Sequence, residues 1–391
     1  MTIPSNPSAQ PQPGIQPGPS EAALAATPDV AAATGGARVA SGIAAAKPPS
    51  REEVLKVENL TVGFPTDDGL VKAVRGVSYT VHEREVLGIV GESGSGKSVS
   101  SMAIMGLLPK NARISGTIRY RGEDILKMSK KAQRSLRGRR IGMIFQDPMT
   151  ALNPVYTIGD QLAEAVLSHE TVSRKQALAR AEEMLALVGI PQPKQRLRAY
   201  PHEFSGGMRQ RAMIAMAVIN NPDVIIADEP TTALDVTVQA QILETLLDVK
   251  DQVNSAIILI THDLGVVAGT VHRVLVMYAG RPVELGETDE VFYRPRMPYT
   301  AGLLGSIPAL DTASGEKLRP IKGTPPSLIT LPPGCPFAPR CPLVTDICDD
   351  EEPELASTDG LEHWAACHHW TRLAEAEDPT KFFRAESEVR R

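Results

Sequence analysis

No apolar run in this chain approaches the length needed to span a bilayer. The longest lie near Met213–Ile219 and Ala256–Ile260. Any membrane role is therefore expected to be peripheral. Excess positive charge is also missing. The formal net charge is −5, which argues against a general nucleic-acid binder. The N-terminus shows no basic start followed by an apolar core, so no secretory signal is expected. Residues 1–50 have almost no large apolar side chains and are rich in Ala, Pro, Gly and Ser. Such a stretch buries too little surface to offset chain entropy, and a disordered tail is expected. Cysteine is absent from the first 334 positions, and all four cysteines fall between 335 and 367. That clustering needs an explanation.

The remaining composition is ordinary for a globular protein, with 42% hydrophobic and 22% charged residues. A length of 391 residues suggests two or three domains and ample core. Order is expected from about Val54. Leu55, Val57, Leu60, Val62 and Phe64 alternate with polar residues as in half-buried strands. Val71 to Val81 predicts a further strand pair. Phe64 suits two roles equally, a core strand residue or a platform for a base.

The stretch Gly91-Glu92-Ser93-Gly94-Ser95-Gly96-Lys97-Ser98 follows the apolar run Val86–Val90. It precedes Val99 to Leu108, which reads as a helix ended by Pro109. Strand, glycine loop, Lys-Ser and helix is the context of a P-loop. Glycines let the backbone curl around phosphates with its N–H groups turned inward. The helix adds its positive end, Lys97 neutralises phosphate oxygens, and Ser98 suits Mg²⁺. A glycine-rich turn with a surface lysine would not require all four fixed positions with these flanks.

Gly116–Tyr120 and Ile141–Phe145 read as short strands, the second running into Gln146. From Thr157 to about Asn220 the apolar period becomes helical, through Ile158, Leu162 and Val166, then Ala177, Ala181, Met184, Leu185 and Val188. Phe204-Ser205-Gly206-Gly207-Met208 opens the next helix, to Ile219. Alone it is a weak signal, since Ser205 could be a plain N-cap. The buried strand Val224–Ala227 then runs into Asp228-Glu229. Two adjacent acids at a parallel strand's tip are costly without a nearby cation or substrate. A helix over Val236–Asp251 and a strand over Ala256–Ile260 follow, with His262 at the strand's exit.

In this order the segments resemble the ATP-binding subunit of an ABC transporter over about residues 54–305. The resemblance implies an α/β fold of the P-loop NTPase class, with a RecA-like core, an antiparallel β portion and a helical subdomain. The cassette would span 51–305, its helical subdomain about 147–220, and a small cysteine-containing extension would cover 306–391. Gly91–Ser98 with Val99 matches the P-loop and Gln146 the Q-loop glutamine. Ser205-Gly206-Gly207 matches the signature, with Phe204 and Met208 where other branches often have Leu and Gln. Asp228-Glu229 matches the acid pair, Asp235 the D-loop and His262 the switch histidine. Asp147-Pro148-Met149-Thr150-Ala151-Leu152-Asn153-Pro154, Arg296-Met297-Pro298-Tyr299-Thr300 and Gly334–Pro342 resemble the oligopeptide/dipeptide/nickel importer group, and within it the D-type subunit.

The resemblance implies ATP and Mg²⁺ as ligands, with Ser98, Gln146 and Asp228 around the metal. Glu229 would be the catalytic base, His262 would reach the γ-phosphate, and Lys97 would stabilise transferred charge. Phe64 and residues 91–99 would complete the ATP site. Ser205, Gly206 and Gly207 would close over the ATP of a partner cassette. The implied partners are a related F-type ATPase forming a heterodimer, two transmembrane permease subunits and an extracytoplasmic binding protein. The implied location is the cytoplasmic face of the cell membrane. Uptake of oligopeptides or dipeptides is the leading function. Nickel or another small solute is the alternative, and a soluble ABC ATPase of DNA repair or translation is disfavoured by the single cassette and acidic charge.

Cys335, Cys341, Cys348 and Cys367 are spaced unlike paired C-x2-C zinc ribbons. For a cytosolic chain, metal is the better reading than disulfides. Four thiolates suit Zn²⁺ or an iron–sulfur cluster. Some D-type subunits resemble this chain here and carry [4Fe–4S], which makes the cluster the expected group. His363, His368 and His369 are rival ligands. The Pro-rich span 320–345 offers little core, so a bound metal would help it fold. The segment follows the cassette, far in sequence from every residue directed at ATP.

Overall fold

The structure is a computed structural model that describes residues 52–232, 234–307, 321–359 and 362–383. The expected tail lies outside these residues. A four-stranded antiparallel sheet, in the order β2-β1-β4-β5, is built first. Its strands are β1 (Glu53–Thr66), β2 (Gly69–His82), β4 (Arg113–Tyr120) and β5 (Glu123–Asp124). Val71 to Val81 forms one strand, not a pair, because it runs against β1 almost end to end, from Glu53↔His82 to Thr66↔Gly69.

Between these strands come β3 (Val86–Val90) and α1 (Lys97–Met105). The helix ends before Pro109. Gly106 adopts φ 57° and its N–H closes on the carbonyl of Ala103, a left-handed stop that glycine makes at no steric cost. After α2 (Lys130–Leu136), β6 (Ile141–Ile144) enters the second sheet. The helical portion follows as α3 (Pro148–Ala151), α4 (Ile158–Leu167), α5 (Arg174–Leu187), α6 (Pro193–Arg196) and α7 (Gly206–Val218). Ile158, Leu162, Val166, Ala177, Ala181, Leu185 and Val188 are fully buried there, as the helical period requires. Met184 is only partly buried.

The chain returns through β7 (Val224–Asp228), α8 (Val236–Val253), β8 (Ala256–Thr261), α9 (Leu264–Val267), β9 (Arg273–Tyr278) and β10 (Arg281–Glu287). The second sheet has eight strands in the order β11-β12-β10-β9-β3-β8-β7-β6. Its centre is parallel: β3 pairs with β8 and β9, and β7 with β6 and β8. Strands buried on both faces read as continuous apolar runs, and every residue of β3, β7 and β8 is buried. Because β3, β7 and β8 run parallel, their exits share one edge. Val90 sits opposite Thr261, and Asp228 opposite Ile260. The topology thereby gathers the glycine loop, the acid pair and His262.

Two helices, α10 (Thr288–Tyr293) and α11 (Pro298–Leu304), lead to the cysteine segment. That segment contains α12 (Asp346–Asp350), β11 (Ala356–Ser357), β12 (Trp364–Ala365) and α13 (Trp370–Ala374). β12 extends the main sheet by pairing with β10, Glu284 opposite Ala365. The segment also buries Phe337 against Tyr278 and Tyr299, with ring centroids 5.4 Å apart in each pair. The core that this Pro-rich stretch lacks is therefore supplied in part by the cassette. Among the described residues no helix is long and apolar enough to cross a membrane.

Candidate nucleotide site

The loop Gly91–Gly96 leaves β3 and starts α1. Gly91 has φ 148°, and a Cβ there would lie 2.2 Å from the carbonyl oxygen of Met277. Gly96 has φ 97°, and its Cβ would lie 2.4 Å from the Ala73 carbonyl oxygen. No other residue fits either place without moving backbone. Lys97 lies buried beneath the loop. Its Nζ donates to the carbonyls of Gly91 at 2.6 Å and Glu92 at 2.9 Å. Burial lowers the ammonium pKa, while the carboxylates of Glu229, Asp228 and Glu92 oppose that shift.

One pocket is lined by Glu92, Ser93, Gly94, Ser95, Gly96, Lys97, Ser98 and Val99, together with Phe64, Gln146, Glu229 and His262. Ser98 Oγ donates to Asp228 Oδ1 at 2.8 Å. Burial raises the Asp228 carboxyl pKa and the Glu229 charge adds to that shift, while the Ser98 hydrogen bond and the Lys97 charge work the other way. A hydroxyl and a carboxylate oxygen side by side are the hard donors that Mg²⁺ takes.

Three side chains converge on one oxygen of Glu229. Gln146 Nε2 donates to Oε2 at 3.0 Å, Thr232 Oγ1 donates to it at 2.9 Å, and His262 Nδ1 lies 3.4 Å away. Glu229 itself has φ 47°. A left-handed glutamate is strained, and such strain is concentrated at working sites. Its N–H donates to the Ile260 carbonyl at 2.9 Å, which ties the strained residue to β8.

Ser205, Gly206 and Gly207 do not line this pocket. Ser205 caps α7 by accepting the Met208 N–H at 3.3 Å, and Ser205 and Gly206 are exposed. Asp235 caps α8, accepting the Val238 N–H at 3.0 Å. Gly207 lies beside that same helix start, near Val238. Phe64 packs against the core cluster beneath the four-stranded sheet and also lines the pocket.

Thr232, Tyr299, Leu303, Leu328 and Arg340 carry no local sequence signal that marks them as site residues. Leu303 and Leu328 line the pocket, and Tyr299 Oη accepts the Glu92 N–H at 2.8 Å. Tyr299 and Arg340 do lie within the stretches that carry the resemblance, which was the one available signal.

Among the described residues, no three His, Cys, Asp or Glu side chains are grouped so as to hold a metal ion as they stand. The four cysteines nonetheless line one small cavity, together with Phe337, His368 and His369. None forms a disulfide. Burial pushes the Cys335 thiol up to about 11, and those of Cys341 and Cys367 up to about 12. Backbone N–H groups of Leu343 and His369 donate to the sulfurs of Cys341 and Cys367 at 3.4 and 3.3 Å. His363 is committed elsewhere: it is buried, with Nε2 2.8 Å from Glu284 Oε1.

A sheet whose parallel centre holds a strand feeding a glycine loop and a Lys-Ser helix start, with an acid pair at the end of β7 one strand further on beyond β8, defines a P-loop nucleotide-binding protein. Residues 74–232 match the ABC transporter family, and residues 283–348 match the family described as oligopeptide/dipeptide transporter, C-terminal region. The chain is 57% identical over 300 residues to the dipeptide transport ATP-binding protein DppD of Bacillus subtilis, covering 76% of this chain and 89% of that one. It is 51% identical to the oligopeptide transport ATP-binding protein OppD of Salmonella typhimurium, covering 80% and 93%. Against OppD of Mycobacterium tuberculosis the identity is 53%, covering 86% of this chain and 55% of the relative. The chain thus spans about half the length of the mycobacterial relatives it matches. A solved dimer of the ATP-binding cassette MJ0796, in a post-hydrolysis state bound to ADP and Pi, superposes with a TM-score of 0.54 at 25% identity, covering 60% of this chain and 98% of that one. The chain belongs to the ABC transporter family, among the homologues of the oligopeptide and dipeptide transport ATP-binding proteins.

Proposed function

We propose that this chain binds and hydrolyses ATP to power uptake of oligopeptides or dipeptides through a membrane ABC importer. The observation that carries the ATPase reading is the convergence of Gln146, Thr232 and His262 on Glu229, in the pocket that holds Lys97 and Ser98. The peptide cargo rests on the matched C-terminal family region and on the relatives' transport functions.

The loop amides and Lys97 would hold the β- and γ-phosphates. Ser98, Asp228 and Gln146 would hold Mg²⁺, which when bound neutralises charge developing on the phosphate oxygens. Glu229 would orient and deprotonate the attacking water, and His262 would help hold that water against the γ-phosphate. Phe64, which lines the pocket, would stack on the adenine.

Ser205, Gly206 and Gly207 lie outside their own chain's pocket, with Ser205 and Gly206 exposed and Gly207 half-buried. This supports their acting on the ATP of a second cassette, an F-type subunit in a heterodimer. The solved relative is itself dimeric. Met149, Val155 and Tyr156, beyond Gln146, are exposed apolar residues. They suit contact with a permease on the cytoplasmic face of the membrane. Two permease subunits and an extracytoplasmic binding protein would complete the importer. The isolated chain, shown to remain monomeric, should therefore hydrolyse ATP poorly, and steady-state turnover should rise on assembly with the partner cassette and permease. Full activity in the monomer would contradict this reading.

At the four cysteines, [4Fe–4S] is the group we infer, with Zn²⁺ as the alternative. Support comes from the shared cavity, the unpaired thiols and the N–H donors aimed at two sulfurs. Chain purified without oxygen should be brown and contain iron and acid-labile sulfide. Stoichiometric zinc without iron would replace the cluster with a zinc site. Absence of both, with the segment folded, would defeat the metal reading.

A further inference from the structure

We propose that Arg340, in the cysteine segment, is a positioning residue for the phosphate-binding loop, gripping Glu92 so that the C-terminal segment sets the loop's affinity for ATP. The inference rests on the reading of Gly91–Ser98 as the ATP site.

Arg340 is buried, and its guanidinium makes a bidentate pair with Glu92. Nη1 donates to Oε2 at 2.7 Å and Nη2 to Oε1 at 2.9 Å. A fork-to-fork pair fixes direction as well as distance. The guanidinium is held from behind as well. Nε donates to the Lys322 carbonyl at 3.0 Å and Nη1 to Tyr278 Oη at 3.2 Å. The charge also lies 5.8 Å from the Tyr278 ring centroid and 5.9 Å from that of Phe337.

Glu92 is held at three points. Its side chain meets Arg340, its N–H meets Tyr299, and its carbonyl accepts from Lys97. Two of these three partners, Tyr299 and Arg340, come from beyond β10. Lys97 therefore rests on a backbone whose position the C-terminal residues share in fixing. Arg340 also cancels a carboxylate in the wall of a pocket meant for phosphates, where an uncompensated negative charge repels the ligand. The same residue ends the turn Ala338–Arg340 directly before Cys341, and Phe337 lies both against Tyr278 and in the wall of the cysteine cavity. The cysteine segment, distant in sequence, thus reaches the loop directly.

The test is a double-mutant cycle in the full chain, read by titration with a fluorescent ATP analogue and by ATPase kinetics in the assembled complex. Arg340→Ala should weaken nucleotide binding on the order of tenfold. Turnover at saturating ATP should stay within about threefold, since Arg340 does not touch Glu229. Adding Glu92→Gln should restore part of the lost affinity, because the exposed carboxylate goes with it. Arg340→Lys keeps the charge without the fork and should fall between wild type and Arg340→Ala. It also carries the test if the alanine variant does not fold. Wild-type affinity in both Arg340 variants, or strictly additive losses in the double variant, would overturn the proposal. Lys97→Ala serves as the control for the ATP site. If wild type and Lys97→Ala both fail to bind nucleotide, the site reading has failed rather than the role of Arg340.

Discussion

Replacing Glu229 by glutamine is expected to lower ATP turnover by roughly a hundredfold or more while leaving ATP binding nearly intact. The change is almost isosteric. Gln146 and Thr232 both donate to Glu229 Oε2, at 3.0 and 2.9 Å, and an amide oxygen can still accept from them. What disappears is the negative charge that draws a proton from water. A hundredfold corresponds to about 2.7 kcal/mol of barrier, more than the loss of one neutral hydrogen bond would cost. Steady-state ATPase in the assembled complex is the measurement, with nucleotide titration beside it. Near-normal turnover would remove Glu229 from the role of base.

Lys97→Ala should act one step earlier, on binding. The ammonium is buried and held by the Gly91 and Glu92 carbonyls, with its charge disfavoured by that burial. Phosphate oxygens would relieve this cost, each charged hydrogen bond contributing about 1.5–3 kcal/mol. Losing two such bonds weakens ATP by roughly a hundredfold or more. Titration with a fluorescent ATP analogue should show no saturation in the range where wild type saturates. Unchanged affinity would mean that the loop does not hold phosphates through Lys97.

What the sequence makes legible follows from how local each signal is. The glycine loop could be read directly, since its glycines, Lys97 and Ser98 are consecutive and flanked by a strand and a helix. β3, β7 and β8 were legible as apolar runs because both faces are covered. The end of α1 was misplaced because Pro109 is a conspicuous breaker, whereas Gly106 stops the helix three residues earlier by a left-handed turn. Val71 to Val81 looked like two strands because its polar interruptions hide one long pairing with β1.

The contacts of Glu229 were only partly legible. Its neighbours lie at the end of β6, the end of β8 and the turn after β7, and only the order of strands in the sheet makes them adjacent. Arg340 and Glu92 stand 248 positions apart. No period or motif links them, and the cysteine segment consequently reads as remote from the nucleotide. Its attachment depends on β12 joining β10 and on Phe337 finding Tyr278 and Tyr299, which are tertiary events without a local signature.

The central claim is that ATP hydrolysis at Glu229 drives peptide uptake. Its most direct test is transport of a labelled short peptide into proteoliposomes that hold the permease, the partner cassette and this chain, with the binding protein supplied on the peptide side. The wild-type chain should give uptake that requires ATP on the cassette side. The Glu229→Gln chain, assembled to the same level, should give uptake no greater than the ATP-free background. Undiminished uptake with Glu229→Gln, or hydrolysis by the wild-type complex without peptide movement, would contradict the account.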